Sequence, residues 1–190
     1  DFHGYDQLYY ELLAKLIGPG RIIVSSAGND GARNSYIHKN IGKERAGAFI
    51  LGNEKRFSCT AKSKQTFTFR VSVYDNVASP QIVDISTVNV CNAQDSLLTD
   101  SLLVGGKKYI WRVLAYPNSY DARETAYDFQ ISSPSKLGDS PQVSLQVMGR
   151  DADIELYRMS GYMFPHSLDP VLDAGDCRYT IFSPSSSPDV

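Results

Sequence analysis

Over most of its length this chain places an apolar residue at every second position, a period that admits little besides β-structure. In residues 65–74, Phe67, Phe69, Val71 and Val73 fall on one side, and Thr66, Thr68, Arg70 and Ser72 on the other. A two-residue period sends successive side chains to opposite faces of a sheet, so such a run predicts a strand with one buried face. Tyr109, Trp111, Val113 and Ala115 repeat the pattern, which assigns Trp111 to the core; Val143, Leu145 and Val147 repeat it again. Residues 82–90, 127–131 and 154–159 are further strand candidates. Turn signals at 76–80, Gly105-Gly106, Pro117-Asn118, 133–141 and 149–151 separate the runs. Seven to nine short strands, with no second helix evident, predict a two-sheet antiparallel sandwich, jelly-roll-like in plan.

The first 31 residues obey a different rule. Leu8, Leu12, Leu13, Leu16 and Ile17 recur at helical spacing over residues 6–17, with Asp6 placed to cap the helix and Gly18-Pro19-Gly20 to stop it. Ile22-Ile23-Val24 is then a continuous apolar run, which suits a parallel strand covered on both faces. Helix, turn and buried strand make one half of an α/β unit. The strand runs into Ser25-Ser26-Ala27-Gly28-Asn29-Asp30-Gly31, a tight turn that displays one asparagine. A side-chain amide at the carboxyl end of a parallel strand stands where α/β proteins place ligand-binding groups. The same string also reads as a plain turn that tolerates positive φ. The expected fold is therefore mainly β, a sandwich preceded by a helix and one strand of an α/β core.

The 190 residues carry 19 Lys and Arg against 21 Asp and Glu, a net charge of -2. The basic residues are scattered, which argues against a nucleic-acid partner. Lys62, Lys64, Lys107 and Lys108 flank strand-like runs and read as solvated strand ends. No apolar run approaches the ~18 residues of a membrane span. The chain opens at Asp1 without an initiator Met and without the pattern of a signal peptide, which suggests a piece of something longer. Cys59, Cys91 and Cys177 form neither a metal-site pattern nor a disulfide framework. His3, His38 and His166 match no ligand spacing, so no metal or other cofactor is expected. Asp151 with Asp153, or Asp169, Asp173 and Asp176, lack the spacing of a calcium loop. Tyr9, Tyr10, Tyr116, Tyr120, Tyr157 and Tyr162 could stack sugars, although packing explains most of them.

The stretch from the helix through Gly-Pro-Gly-Arg-Ile-Ile to Val24-Ser25-Ser26-Ala27-Gly28-Asn29-Asp30-Gly31 resembles the oxyanion-hole segment of the subtilisin-like serine proteases. The resemblance implies that Asn29 completes the oxyanion hole and that the backbone of Ser26, Ala27 and Gly28 forms one wall of the S1 pocket. A donor of this kind is worth about 3–4 kcal/mol of transition-state stabilisation, a magnitude measured in subtilisin itself and carried over from there. Residues 179–190 read alone as a short strand and a Ser/Pro linker, but they also resemble the stretch by which such proteases return to their sheet. Some bacterial members share this plan, with a jelly-roll domain inserted at that point and a histidine soon after the turn, compatible with His38.

The resemblance implies three segments: 1–40 from the catalytic domain, 41–177 an inserted β-sandwich, and 178–190 the catalytic chain resuming. It also implies a secreted or cell-envelope bacterial setting. The partners it implies are the remainder of the catalytic domain and that enzyme's polypeptide substrate, with self-association through the exposed strand a further expectation. The departures are equally plain. No His-Gly-Thr string occurs, and Ser185, Ser186 and Ser187 have no glycine elbow around them. An oxyanion hole without nucleophile and base polarises a carbonyl with nothing to attack it. The fragment is expected to be inactive. The alternative is a sandwich module that binds glycan or a surface protein, with the turn at Asn29 coincidental. Geometry separates the two: an insertion must return residues near 31–40 and near 177 to one place.

Overall fold

A computed structural model describes residues 6–22, 24, 34–51, 54–75, 79–118, 121–139, 141–164, 169, 170, 172 and 175–177. Helix α1 (Asp6–Ala14) comes first, followed by β1 (Tyr36–Lys39), β2 (Arg45–Leu51), β3 (Arg56–Ser63), β4 (Thr68–Tyr74) and β5 (Gln81–Ser86). Helix α2 (Thr87–Asn92) and a 3-10 turn (Gln94–Ser96) lead to β6 (Leu97–Val104), β7 (Lys107–Pro117) and β8 (Thr125–Ser132). The last strands are β9 (Gln142–Met148), β10 (Ile154–Ser160) and β11 (Tyr162–Phe164). They form a six-stranded sheet ordered β1-β10-β3-β8-β7-β6 and a five-stranded sheet ordered β11-β2-β9-β4-β5. Every ladder is antiparallel. The mainly-β sandwich expected from the two-residue period is the observed fold.

The alternation explains the core directly. Phe69, Val71 and Val73 of β4 and Val143, Leu145 and Val147 of β9 face inward from one sheet. Tyr109, Trp111, Val113 and Ala115 of β7 and Tyr127, Phe129 and Ile131 of β8 face them from the other. Phe69 stacks on Phe129 at 5.5 Å between centroids, and Phe67 meets Tyr127 edge-on at 5.2 Å. Offset and edge-on arrangements align ring edges with ring faces and add to the area that is buried.

Several expectations change. Eleven strands stand among the described residues rather than seven to nine, because β1 and β11 are four and three residues long, too short to show a period. The expected strand over 82–90 splits, and its second half is a helix, although no second helix was evident in the sequence. Thr87 is the reason. Its Oγ1 donates to the carbonyl of Phe67 at 2.8 Å and accepts the Phe67 N–H at 2.9 Å, while its own N–H donates to the same carbonyl at 3.0 Å. These bonds hold the chain as it turns, and Val90 one turn on is fully buried. Lys62 is not a solvated strand end either: its stem is buried and its ammonium lies 2.8 Å from Glu155. Lys39 is a second buried lysine, wholly enclosed, with Nζ donating to the carbonyls of Asn40, Lys43 and Gly149. Burial lowers its pKa, against the pull of Asp153, Glu44 and Asp151.

Helix α1 is shorter than the apolar stripe implied. It ends at Ala14, so Leu16 lies in the turn that follows. Leu13 is buried, but Leu12 and Leu16 are more than half exposed. Beyond the helix, Ile22 is 87% exposed and Val24 89%, with no sheet partner among the described residues. No helix among the described residues is long and apolar enough to cross a membrane.

Candidate functional site at the sandwich junction

The place where the chain enters the sandwich is also the place where it leaves. The N–H groups of Ser35 and Tyr36 both point at the carbonyl of Asp176, at 2.9 and 3.3 Å, and the Asp176 N–H donates back to the Tyr36 carbonyl at 2.8 Å. This reciprocal exchange is an isolated antiparallel bridge. On the other side the Arg158 N–H of β10 donates to the Ser35 carbonyl at 2.7 Å, so the entry segment is held between β10 and the exit segment. Gly175 makes the approach possible. Its φ is +66°, and a Cβ there would overlap the Tyr36 carbonyl oxygen, so both the backbone conformation and the close contact require glycine.

Side chains reinforce this junction on the outer face of the six-stranded sheet. Tyr36, 1% exposed, donates its hydroxyl to Glu155 Oε1 at 2.7 Å. Lys62 Nζ reaches Glu155 Oε2 and stands 5.1 Å from the centre of the Tyr157 ring, which itself lies 5.1 Å from the Tyr36 ring. Burial pushes the Glu155 carboxyl up, but the donors Lys62, Tyr36 and Tyr157 outweigh it, and the net pKa is lowered. Register explains why these four groups meet: Glu155 pairs with Lys62 across β10–β3 and with His38 across β1–β10, while Tyr157 pairs with Thr60 and Tyr36. Side chains at paired positions stand on the same face of the sheet.

Beside this cluster His38 Nε2 lies 2.6 Å from Asp153 Oδ1. The pair borders a hollow of about 390 Å³ that Lys62, Lys64, Glu124 and Glu155 also line. A carboxylate orienting an imidazole is one half of an acyl-transfer centre. Among the described residues Asp153 is the one hydrogen-bond partner of His38, so no nucleophile pairs with the imidazole there. No group of three His, Cys, Asp or Glu among the described residues can hold a metal ion. Asp153 is engaged by His38, and Asp169 lies 3.5 Å from Arg45.

The residues expected to carry chemistry, Ser26, Ala27, Gly28 and Asn29, lie outside the described residues, as do His3, His166, Tyr120, Asp173 and 178–190. Tyr116, Tyr157 and Tyr162, candidate sugar-stacking residues, do not form one exposed aromatic platform. Tyr157 is buried, Tyr116 stands on the outer face of the six-stranded sheet, and Tyr162 belongs to the five-stranded sheet. The junction cluster itself was not legible in the sequence. Tyr36 and Glu155 are 119 residues apart, and neither sits in a pattern that names the other.

No sequence-family profile matches the chain, and no curated protein matches it. A solved structure similar to it is that of the Clostridium perfringens CspB protease, at 14% identity and a TM-score of 0.45, with 70% of this chain and 26% of that chain covered. The chain thus spans about a quarter of that protein, 26% of its length.

Proposed function

We propose that this chain is a non-catalytic piece of a subtilisin-like serine endopeptidase, most of it an accessory β-sandwich inserted into the catalytic domain. The observation that carries this reading is the bridge between Tyr36 and Asp176, which returns entry and exit to one point. A domain inserted between two neighbouring parts of a sheet needs its ends together. On this reading 1–40 and 178–190 belong to the catalytic domain and 41–177 form the insertion, with β1 extending the sandwich a few residues toward the motif. The exposure of Leu12, Leu16, Ile22 and Val24 supports the same view, because apolar surface of this kind suits a helix and strand whose neighbours are supplied by the rest of an α/β sheet.

In the whole enzyme the Asn29 amide would donate to the oxyanion that develops as the scissile carbonyl is attacked, and the backbone of Ser26, Ala27 and Gly28 would line one side of S1. The partners are the remainder of the catalytic domain and its polypeptide substrate, in an extracytoplasmic bacterial setting. The chain alone supplies an oxyanion donor and no triad.

Two measurements test this. A fluorogenic peptide incubated with the chain alone is expected to stay intact; turnover above buffer contradicts the absence of a triad. In a protease that carries this segment together with Asp, His and Ser motifs, Asn29→Ala is expected to lower kcat by roughly 10²–10³, the range seen for the equivalent donor in subtilisin, with KM little changed. An unchanged kcat refutes the role of Asn29.

A further inference from the structure

The outer face of the six-stranded sheet changes character from one side to the other. Near β1 it is closed: Tyr36, Thr60, Lys62 and Tyr157 are all buried. Over β3, β8 and β7 it opens into two contiguous hollows of about 430 and 780 Å³ that share Ser58 and Gln130 as floor. The rim of the smaller hollow is aliphatic, with Leu97 of β6, Leu114 of β7 and Met159 of β10 each more than a third exposed, whereas the larger hollow beside it is lined by polar and charged side chains. Pairing sets Leu97, Leu114, Asp128 and Thr60 in one row, and Thr99, Arg112, Gln130 and Ser58 in the next. Arg56 follows in a third row with Ser132 and Ile110.

The charges in this trough are not balanced. The guanidinium groups of Arg112 and Arg56 have no ion pair or hydrogen bond among the described residues, and both line the trough. Asp128 is already engaged, accepting the Thr60 hydroxyl at 2.6 Å and the Tyr116 hydroxyl at 3.2 Å. Lys55 adds a further cation to the lining, and Glu54 is its other carboxylate. The trough therefore combines unspent guanidinium donors with an aliphatic wall and an open amide in Gln130.

Sugars and polypeptides ask for different surfaces. Sugar rings stack on flat aromatic faces, and among the described residues the only aromatic side chains of the lining are Tyr116, its hydroxyl already bonded, and Phe129, which is buried in the core. Leucine and methionine side chains, pliable and unflat, suit aliphatic side chains of a peptide. Arginine binds carboxylates through a planar fork of N–H donors, and it is enriched with Tyr and Met at protein interfaces. We infer that this trough is a docking site for an extended polypeptide segment carrying carboxylates beside aliphatic side chains. Arg112 and Arg56 take the carboxylates, and Leu97, Leu114 and Met159 take the apolar groups. The trough is centred on β3, β8 and β7, and Met159 of β10 brings its rim to within one residue of Arg158, the strand neighbour of Ser35 at the junction. The inference stands on the trough alone and does not require the protease reading.

The test uses fluorescence anisotropy with two blocked twelve-residue peptides, one of repeating Glu-Leu-Ser and one of repeating Lys-Leu-Ser. The acidic peptide is expected to bind saturably at low ionic strength and to weaken as salt shortens the Debye length to ~3 Å at 1 M. Arg112→Glu is expected to cost at least about tenfold in affinity for the acidic peptide and to confer binding of the basic one, a reversal that mere loss of folding cannot produce. Arg112→Gln serves if the charge reversal unfolds the chain, and Arg150→Glu, on the turn after β9, is the unaffected control. Equal binding of both peptides, binding of neither, or an acidic-peptide affinity unmoved by either Arg112 variant overturns the inference. So does an oligosaccharide array that binds in an Arg112-dependent way while the peptides do not.

Discussion

Glu155 shows how one side chain makes the junction sensitive to acid. Its carboxyl is half enclosed, yet Lys62 and Tyr36 donate to its two oxygens, and its pKa falls below the ordinary 4.5. The folded state therefore binds a proton less readily than the unfolded chain. The stability this group contributes is fully present above about pH 4.5 and is lost as pH falls through the lower folded value. Acid titration of unfolding free energy is expected to show this loss in the wild type and a shallower acid limb in Glu155→Gln. Identical acid limbs would remove Glu155 from the account. Gly175 is a different residue-scale case, because its demand is conformational. Gly175→Ala must hold alanine at φ +66° against the Tyr36 carbonyl, which costs at least about 1 kcal/mol and loosens the bridge. Hydrogen exchange at the Tyr36 and Asp176 amides is the direct readout, and it should accelerate at these two positions before the strands of the core.

At the scale of elements, α2 marks where local pattern and tertiary contact disagree. Residues 82–90 carry the β-branched run of a strand, but Thr87 exchanges hydrogen bonds with the Phe67 backbone through its hydroxyl, and the helix starts there. Thr87→Val keeps the shape and strands the buried Phe67 N–H, so chemical denaturation should show a loss of about 1–3 kcal/mol, with Thr87→Ser close to wild type. A harmless valine would mean that Val90 alone holds the helix. Elsewhere the strands form as their periods predict. Phe69, Val71, Val73, Tyr109, Trp111, Val113 and Ala115 all face the core, because a half-buried strand needs no information beyond its own alternation to know its inner side.

The whole molecule presents a sandwich with its apolar faces together and a leading segment with its apolar surface outside. Ile22 and Val24 are almost fully exposed, apolar surface that favours association. Sedimentation velocity is expected to show concentration-dependent self-association that the double variant Ile22→Asp, Val24→Asp abolishes. A wild type that stays monomeric across a hundredfold range of about 1–100 μM would contradict this, since exposed edges pair at such concentrations. At this scale the division between sequence and structure is clear. Periodicity and turn chemistry act over a few residues, so the sandwich and the inward faces of β4, β7 and β9 were legible in the residues alone. Tertiary structure alone decided that Tyr36 meets Asp176, that Lys62 and Tyr36 converge on Glu155, and that Arg112 and Arg56 share one open trough. Those meetings depend on strand order, and strand order is set by packing two sheets of distant strands together, a long-range choice that local residue patterns do not encode.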